Sequence, residues 1–321
     1  MKNKVILIVM GEPYSTFSEI VGKFFSKKTN FKFKIVLIGN YNLIKNQINK
    51  LGYSLKINKI DNVRDAKNGL INLINIDFKF KKLFSKISDK SNKYIRESFN
   101  KSLEIIKSDN SNVYILINGP ISKKTFLQKN YHGITEYLSE KTNSINEVML
   151  IYNDKLSVSP LTTHIPLKQV SKNITKKKII NNILRIENFY KKLIKKKPKF
   201  AILGLNPHCE TTDKFSEESK IISPSISILK RKNIKIEGPF SADTFFLQKN
   251  INKYDVVIGM YHDQVLTPIK TLFNFNAINI TIGLPFVRIS PDHGPNSEML
   301  GKNLSDSSSI RYALKFAEKF V

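Results

Sequence analysis

The sequence is poor in cysteine and lacks long apolar segments. Cys209 is the only cysteine among 321 residues, so no disulfide can form within the chain. A chain without disulfides suits a reducing compartment, and we expect a cytoplasmic protein. No segment approaches the roughly 20 consecutive apolar residues of a membrane-spanning helix. The start MKNKVILIVMGEP combines basic and apolar residues, but its apolar run is short and no small-residue cleavage site follows, so we interpret it as a first strand.

Acidic residues are also scarce. The chain has 26 acidic and 53 basic residues, which gives a formal net charge of +27. Such a charge is typical of proteins that bind nucleic acid or anionic membranes. However, almost all of the basic residues are lysines spread along the chain, whereas phosphate and base recognition favours arginine. We therefore expect solvated surface lysines, no specific nucleic acid and no membrane partner; a basic nucleic-acid-binding protein is the less favoured alternative.

Short apolar runs recur along the chain, with helical patterns between them. Residues 179 to 194 form a helical apolar stripe, and the final segment from 306 begins with helix-capping residues. No internal repeat and no linker rich in Pro, Gly or Ser interrupts the alternation, which predicts an α/β protein with a largely parallel sheet. The apolar runs are VILIVM (5–10), FKIVLIG (33–39), VYILING (113–119), EVMLIY (147–152), KFAILGL (199–205), YDVVIGM (254–260) and AINITIG (277–283).

Polar signatures follow five of the predicted strands, and three of them contain histidine. If the strands are parallel, these signatures meet at the carboxyl edge of the sheet, where ligands bind in open α/β folds. His164, His208 and His262 are three of only five histidines, which suggests a shared metal site. Their wide separation matches no short metal-binding motif, so the spacing alone leaves turn-capping histidines as an alternative.

A series of motifs resembles one enzyme family. TTHIPL, GLNPHCE, GPFSADTFF, YHDQ, NITIGLPFVR and DHG occur in this order over nearly the whole chain, and together they resemble the 4-hydroxythreonine-4-phosphate dehydrogenase family of vitamin B6 biosynthesis. The resemblance implies two α/β/α domains like those of isocitrate and isopropylmalate dehydrogenases, with the active site in the cleft between them. We expect a first domain of residues 1–128 plus 295–321, and a second of 129–294 that carries metal and substrate residues and the dimer interface.

The resemblance also implies an activity. The family carries out metal-dependent oxidation of 4-phosphohydroxy-L-threonine with NAD or NADP, followed by decarboxylation to 3-amino-2-oxopropyl phosphate, on the route to pyridoxal 5'-phosphate. A homodimer with a shared active site and one divalent ion per subunit (Zn, Mg, Co or Mn) is therefore expected. Two alternatives stay open: a related dehydrogenase of threonate or erythronate 4-phosphate, and a metal-binding relative without turnover.

By resemblance, His164, His208 and His262 bind the metal ion, and His262 is supplied by the partner subunit. Two carboxylates lie close to these motifs in the sequence and are our candidate catalytic residues. Asp263 either orients an imidazole or forms a turn, and Asp243 either takes part in the chemistry or caps the following helix.

The positions that contact substrate in the family fall on two cations and two neutral polar residues. Arginine can bind a phosphate or carboxylate with a bidentate fork, and lysine binds it as a point charge. No cofactor-binding residue could be assigned. The substrate-binding positions are Thr135, Lys270, Asn279 and Arg288.

The chain departs from the family pattern in places where specificity could be set. Residues 14–18 replace a Gly-rich loop with bulky side chains, and Thr16 with Glu19 predicts a capping box for the next helix. Ile134 replaces the histidine that precedes the matching threonine, although His132 lies two residues away. Residues 210–213 replace a further Gly-rich stretch, and Pro295-Asn296 follows DHG in place of Thr-Ala.

Overall fold

The computed structural model describes residues 3–27, 31–128, 131, 133–209, 214–274, 276–291 and 294–319. The strands are β1 (Asn3–Val9), β2 (Lys34–Gly39), β3 (Ile57–Ile60), β4 (Ile71–Asn75), β5 (Asn112–Asn118), β6 (Val148–Tyr152), β7 (Ser157–Pro160), β8 (Phe200–Leu203), β9 (Ile236–Phe240), β10 (Val256–Gly259), β11 (Ile278–Ile282) and β12 (Val287–Ser290).

The helices range from single turns to 17 residues, and three further π-helical turns cover Lys123–Leu127, Tyr190–Ile194 and Glu218–Ile222. No helix within the described residues is long and apolar enough to cross a membrane. The α-helices are α1 (Phe17–Phe25), α2 (Tyr41–Lys50), α3 (Asn92–Ser108), α4 (Ile134–Lys141), α5 (Val170–Asn173), α6 (Lys176–Phe189), α7 (Ser223–Arg231), α8 (Ala242–Phe245), α9 (Gln248–Ile251), α10 (His262–Phe273) and α11 (Ser308–Glu318).

The first compact unit contains Met1–Asn143 and Leu284–Lys319. Its strands follow the order β3-β4-β2-β1-β5-β12, and every neighbouring pair is parallel. Residues 5–9 of β1 are fully buried, as expected for a central strand that is covered on both faces. Helix α2 begins where the Asn40 side chain accepts a hydrogen bond from the Leu43 backbone N–H at 3.0 Å.

The second unit contains Ser144–Gly283, with strand order β11-β6-β7-β10-β8-β9. Strands β7, β10, β8 and β9 run parallel to one another, whereas β6 is antiparallel to both of its neighbours. Helix α6 starts with the Thr175 hydroxyl accepting from the Lys178 N–H at 3.2 Å, and its apolar face buries Ile179, Ile183 and Ile186. The carboxyl ends of β7, β8 and β10 therefore lie at one edge of this sheet.

The predicted α/β class is confirmed, and all seven predicted strands and both predicted helices are present. The structure divides the chain differently from the predicted boundaries after residues 128 and 294. Residues 129–143 belong to the first unit because α4 buries Tyr137 and Leu138 in its core, and β12 belongs there because it pairs with β5.

The predicted capping box at the start of α1 is wrong. Thr16 precedes the helix, but its side chain makes no capping hydrogen bond. Glu19 instead accepts hydrogen bonds from the Ser305 backbone N–H at 2.6 Å and from Lys23 Nζ at 3.0 Å. A long-range partner has replaced the local one, because Glu19 is buried, 1% exposed, and needs strong donors there.

Candidate functional site

Three of the predicted site residues follow parallel strands of the second unit. His164 comes after β7, His208 after β8 and His262 after β10. Because the carboxyl ends of these strands share one edge, the fold brings two of the histidines together: the ring centroids of His164 and His262 are 6.0 Å apart. Two imidazoles bound to one ion at about 2.0–2.1 Å have centroids roughly 5 to 6.5 Å apart. The pair is therefore spaced as two ligands of a single ion would be.

His262 is the first residue of α10 and is oriented by its neighbour. Its Nδ1 lies 2.7 Å from Asp263 Oδ1, and the His262 side chain is 34% exposed while that of Asp263 is 78% exposed. A carboxylate at Nδ1 holds the proton there and leaves Nε2 as the atom that can bind a metal ion. This hydrogen bond is the contact that Asp263 would make if it orients the His262 imidazole.

His208 lies in a different environment from the other two histidines. Its backbone is left-handed, with φ of 57°, and Cys209 follows with φ of 55°. Such a conformation costs a non-glycine residue about 1–3 kcal/mol, and it is found preferentially at functional sites. Its side chain is 83% exposed, and Nδ1 lies 3.9 Å from Asp243 Oδ2. The Ser241 hydroxyl and, to a smaller extent, His208 lower the pKa of the Asp243 carboxyl.

The loop that carries His208 is held by Glu218, which sequence reasoning missed. The Glu218 carboxylate is fully buried, and Oε1 accepts from the backbone N–H groups of Leu205 and Asn206 at 2.6 and 2.9 Å. Its Oε2 accepts from Asn206 Nδ2 at 2.8 Å. Hydrogen bonds to an ionised carboxylate are stronger than those to a neutral acceptor, so the three donors hold the loop firmly in place. No sequence pattern points to it, because its partners lie 12 to 13 residues away in the chain.

Replacing Glu218 by alanine is expected to lower the free energy of unfolding by about 3 kcal/mol, since buried donors left without an acceptor cost about 1–3 kcal/mol each. Glu217→Ala is the matched control, because Glu217 is only half-buried and accepts from the same Asn206 Nδ2 at 2.9 Å. Urea denaturation of both variants measures the difference. Equal loss in the two variants would contradict the assigned role of Glu218.

Gln264 joins the ends of β8 and β10. Its Oε1 accepts from the Met260 backbone N–H at 2.6 Å, and its Nε2 donates to the Gly204 carbonyl at 2.7 Å. The YHDQ motif therefore supplies both a candidate ligand, His262, and a clamp between two strand ends. A carboxylate at this position could accept from Met260 but could not donate to Gly204.

Two predicted substrate residues meet in the first unit. Arg288 on β12 is 1% exposed; its Nε donates to Asn118 Oδ1 at 2.8 Å, and its Nη1 donates to Thr135 Oγ1 at 3.0 Å. Asn118, the last residue of β5, is itself buried, and its Nδ2 donates to the Gly119 carbonyl at 2.9 Å. Burial lowers the pKa of Arg288 to about 10, which nearby Glu136 partly opposes, so the guanidinium stays charged at neutral pH.

The other two predicted substrate residues belong to the second unit. Lys270 lies in the last turn of α10, and Asn279 lies on β11. The Oδ1 atom of Asn279 is buried and accepts no hydrogen bond from the described part of the chain. A buried acceptor without a donor is costly, and a ligand that donates to it would relieve that cost.

The described residues contain no group of three or more His, Cys, Asp or Glu side chains that could hold a metal ion within one chain. The donor types nevertheless suit a divalent ion, because imidazole with carboxylate nearby is typical of Zn, Co and Mn sites. His164 and His262 fit as two ligands, and His208 is not brought to them. Three features of the sequence lie outside the described residues: His132, the stretch 210–213, and the Asp-His pair of DHG.

Comparisons with known proteins agree with the geometry. The profile of the family described as "Pyridoxal phosphate biosynthetic protein PdxA" matches residues 32–317. The chain is 37% identical to a 4-hydroxythreonine-4-phosphate dehydrogenase from Sulfurihydrogenibium sp., over 97% of each chain. It is 29% identical to a D-threonate 4-phosphate dehydrogenase from Salmonella typhimurium, over 99% of each chain.

A solved structure shares the fold. The 4-hydroxythreonine-4-phosphate dehydrogenase from Klebsiella pneumoniae superposes with a TM-score of 0.82 at 25% identity, covering 98% of this chain and all of the other. The resemblance stated from the motifs is thus confirmed over nearly the full length. The chain belongs to the pyridoxal phosphate biosynthetic protein PdxA family.

Proposed function

We propose that this protein is a metal-dependent dehydrogenase that oxidises 4-phosphohydroxy-L-threonine with NAD or NADP and decarboxylates the product to 3-amino-2-oxopropyl phosphate, a step of pyridoxal 5'-phosphate synthesis. The observation that carries the proposal is the approach of His164 and His262 to a centroid distance of 6.0 Å, with Asp263 on Nδ1 of His262. Two imidazoles brought together from separate strand ends, one of them oriented by a carboxylate, are typical of a metal centre.

His164, His208 and His262 would hold the divalent ion. The ion would act as a Lewis acid beside the hydroxyl that loses its proton. Asp263 keeps the Nδ1 proton of His262 in place, so that Nε2 is free to bind. Glu218 holds the loop from which His208 extends. Since His164 and His262 already lie together in one chain, we propose that His208, rather than His262, is the ligand supplied by the partner of a homodimer.

The anionic groups of the substrate require fixed positive charge. Arg288 supplies a charged fork whose Nε and Nη1 are held by Asn118 and Thr135, so its orientation costs little entropy on binding. Lys270 adds a second charge, and the unsatisfied Oδ1 of Asn279 can accept from an amino or hydroxyl group. The nicotinamide cofactor supplies the hydride acceptor.

A second candidate substrate is D-threonate 4-phosphate. Ile134, at the position of a family histidine, is half-buried as the first residue of α4 and packs against the apolar core of the first unit. It therefore presents no polar group beside Thr135. D-threonate 4-phosphate carries a hydroxyl where 4-phosphohydroxy-L-threonine carries an amino group, so the two substrates make different polar contacts and the missing histidine affects them differently. The relative from Salmonella typhimurium is named D-threonate 4-phosphate dehydrogenase.

Initial rates on a panel of substrates distinguish 4-phosphohydroxy-L-threonine from D-threonate 4-phosphate as the preferred substrate. The panel holds 4-phosphohydroxy-L-threonine, D-threonate 4-phosphate, D-erythronate 4-phosphate and unphosphorylated 4-hydroxy-L-threonine, each with NAD and with NADP, and both cofactor reduction and CO₂ release are followed. We expect the phosphorylated threonine derivative to have the highest kcat/KM. Its unphosphorylated form should be at least tenfold worse, because a lost charge-assisted hydrogen bond costs about 1.5–3 kcal/mol.

Three results would contradict the proposal. Equal kcat/KM for the phosphorylated and unphosphorylated compounds would refute phosphate recognition. No turnover of any compound in the presence of Zn, Co, Mn or Mg would favour a relative that binds metal without catalysis. Preference for D-threonate 4-phosphate would establish the second candidate substrate instead.

A further inference from the structure

The carbonyl of Met260 joins the chain segments that follow β7 and β10. The paired part of these parallel strands ends at Pro160 and Gly259. Beyond it, the Leu161 backbone N–H donates to the Gly259 carbonyl at 2.8 Å. Thr162 then donates twice to the Met260 carbonyl, from its backbone N–H at 3.2 Å and from its hydroxyl at 2.7 Å. The two segments therefore stay joined after the strands have ended, and the shortest of these bonds comes from a side chain.

Both backbone polar groups of Met260 are bonded to side chains. The carbonyl accepts from the Thr162 hydroxyl, and the N–H donates to Gln264 Oε1 at 2.6 Å. Thr162 lies two residues before His164, and Met260 lies two residues before His262. The two histidines whose ring centroids are 6.0 Å apart thus leave the sheet directly after one shared, hydrogen-bonded point.

The β10 side of this point is held by the helix that follows it. A Cβ at Gly259 would lie 2.5 Å from Val265 Cγ1, so α10 packs directly on the end of β10. Gln264 also donates from Nε2 to the Gly204 carbonyl at 2.7 Å, which ties the start of α10 to β8. His262 therefore begins a helix whose position is fixed by packing and by hydrogen bonds.

The β7 side is held differently. No helix of the described residues starts at His164, and the residue before the loop, Pro160, has no backbone N–H to donate to a neighbouring strand. Thr162 is 2% exposed and Met260 is fully buried, so the hydroxyl is enclosed and its proton is committed to the carbonyl. The first threonine of the TTHIPL motif thus acts behind the loop, where it cannot contact a ligand.

We propose that Thr162 is a positioning residue of the metal centre: its hydroxyl holds the loop of His164 against the Met260 carbonyl and so sets the spacing of His164 from His262 before an ion binds. The inference rests on the proposed metal-dependent function. Ligands that are already in place lose little conformational freedom when they bind, so this arrangement raises the affinity for the ion. Without the hydroxyl, the longer bond from the Thr162 N–H is left to hold the loop.

The test measures metal binding without turnover. Metal-free protein is titrated with Co²⁺, whose visible absorption reports both the bound fraction and the geometry of its ligands. Thr162→Val keeps the shape of the side chain and removes the hydroxyl, and we expect the Kd for Co²⁺ to rise about tenfold, with a changed spectrum, because residues that orient metal ligands contribute about 10–100-fold to affinity. Thr162→Ser keeps the hydroxyl and should leave the Kd within about twofold, although loss of a buried methyl lowers its urea midpoint.

The matched control removes a buried hydroxyl from the opposite end of the same strand. Tyr190 is 4% exposed, and its hydroxyl donates to Ser157 Oγ, on the first residue of β7, at 2.8 Å. Tyr190→Phe should lower the urea midpoint and leave both the Kd and the spectrum of bound Co²⁺ unchanged.

Two results would overturn the inference and leave the proposed function intact. One is a Kd for Thr162→Val within about twofold of that for Tyr190→Phe. The other is an equal rise in Kd for the valine and serine variants, since packing and not the hydroxyl would then be responsible. If the unsubstituted protein bound no Co²⁺, the proposed function would fail together with the inference.

Discussion

At pH 8, the variant Glu12→Gln is expected to be more stable than the unsubstituted protein by about 3 kcal/mol, and the difference should disappear toward pH 4.5. Glu12 is 1% exposed, and its Oε2 has no hydrogen-bond partner among the described residues. Burial raises the pKa of its carboxyl from 4.5 to about 7, against the smaller opposite effects of the Tyr14 N–H and the Ser91 hydroxyl. Glutamine keeps an acceptor for both donors and carries no charge.

The sign follows from proton binding. Between pH 4.5 and 7 the folded protein keeps the Glu12 proton while the unfolded chain has released it, so stability falls as pH rises through this window. Below pH 4.5 the Glu12 carboxyl is protonated in both the folded and the unfolded state, so the cost of burying its charge is absent. The buried neighbours Tyr14 and Tyr94 do not titrate here, because burial raises the pKa of each phenol further above its ordinary value.

Urea denaturation at half-unit steps from pH 4.5 to 8 measures the effect, provided that the m value is the same in both proteins. Glu104→Gln serves as the control, since the Glu104 side chain is 65% exposed and forms a surface ion pair with Lys101. Its curve should run parallel to that of the unsubstituted protein. If the curve of Glu12→Gln also ran parallel to that of the unsubstituted protein, Glu12 would not hold a proton in the folded state.

Most of the sheet could be predicted from the sequence, because strands covered on both faces need long apolar runs such as VILIVM and VYILING. Strands β3 (INKI), β4 (INLIN), β7 (SVSP), β9 (IEGPF) and β12 (VRIS) could not, because they are short and partly polar and owe their conformation to pairing with neighbours. The antiparallel direction of β6 was missed for a related reason. A short apolar run is compatible with either direction, and only the path of the chain decides it.

In the candidate site, too, some residues could be predicted from the sequence and others could not. Histidines at strand ends could be found from the sequence, because parallel strands bring their carboxyl ends together. Glu218 and Asn118 could not be found, since each acts through hydrogen bonds to groups far away in the chain: Asn118 meets Arg288 across 170 residues. The capping box at Thr16 failed because a long-range partner, Ser305, competes for Glu19. Local sequence patterns therefore identify residues that contact a ligand. They do not identify the residues that hold those side chains in place.

Replacing either His164 or His262 by alanine is expected to abolish metal binding and reduce kcat/KM by more than a hundredfold. Loss of a residue that merely orients a ligand already costs about 10–100-fold in metal affinity or activity, and Asp263→Asn should fall in that range. Elemental analysis of the purified variants measures bound Zn, Co, Mn or Mg per subunit. An exposed histidine with no role in metal binding would leave the metal content unchanged, so unchanged content in the variants at 164, 208 and 262 would refute the metal centre.

Mixing inactive variants reports which histidine crosses the proposed dimer. If His164 and His262 of one chain bind the ion with His208 of the partner, a mixed dimer of His164→Ala and His208→Ala subunits has one complete site. Random exchange makes about half of the dimers mixed, so about a quarter of the original activity should return. A mixture of His164→Ala and His262→Ala should stay inactive, because each chain lacks one member of the 6.0 Å pair. Recovery in the second mixture instead would make His262 the crossing ligand, and no recovery in either, with subunit exchange demonstrated, would assign the whole site to one chain.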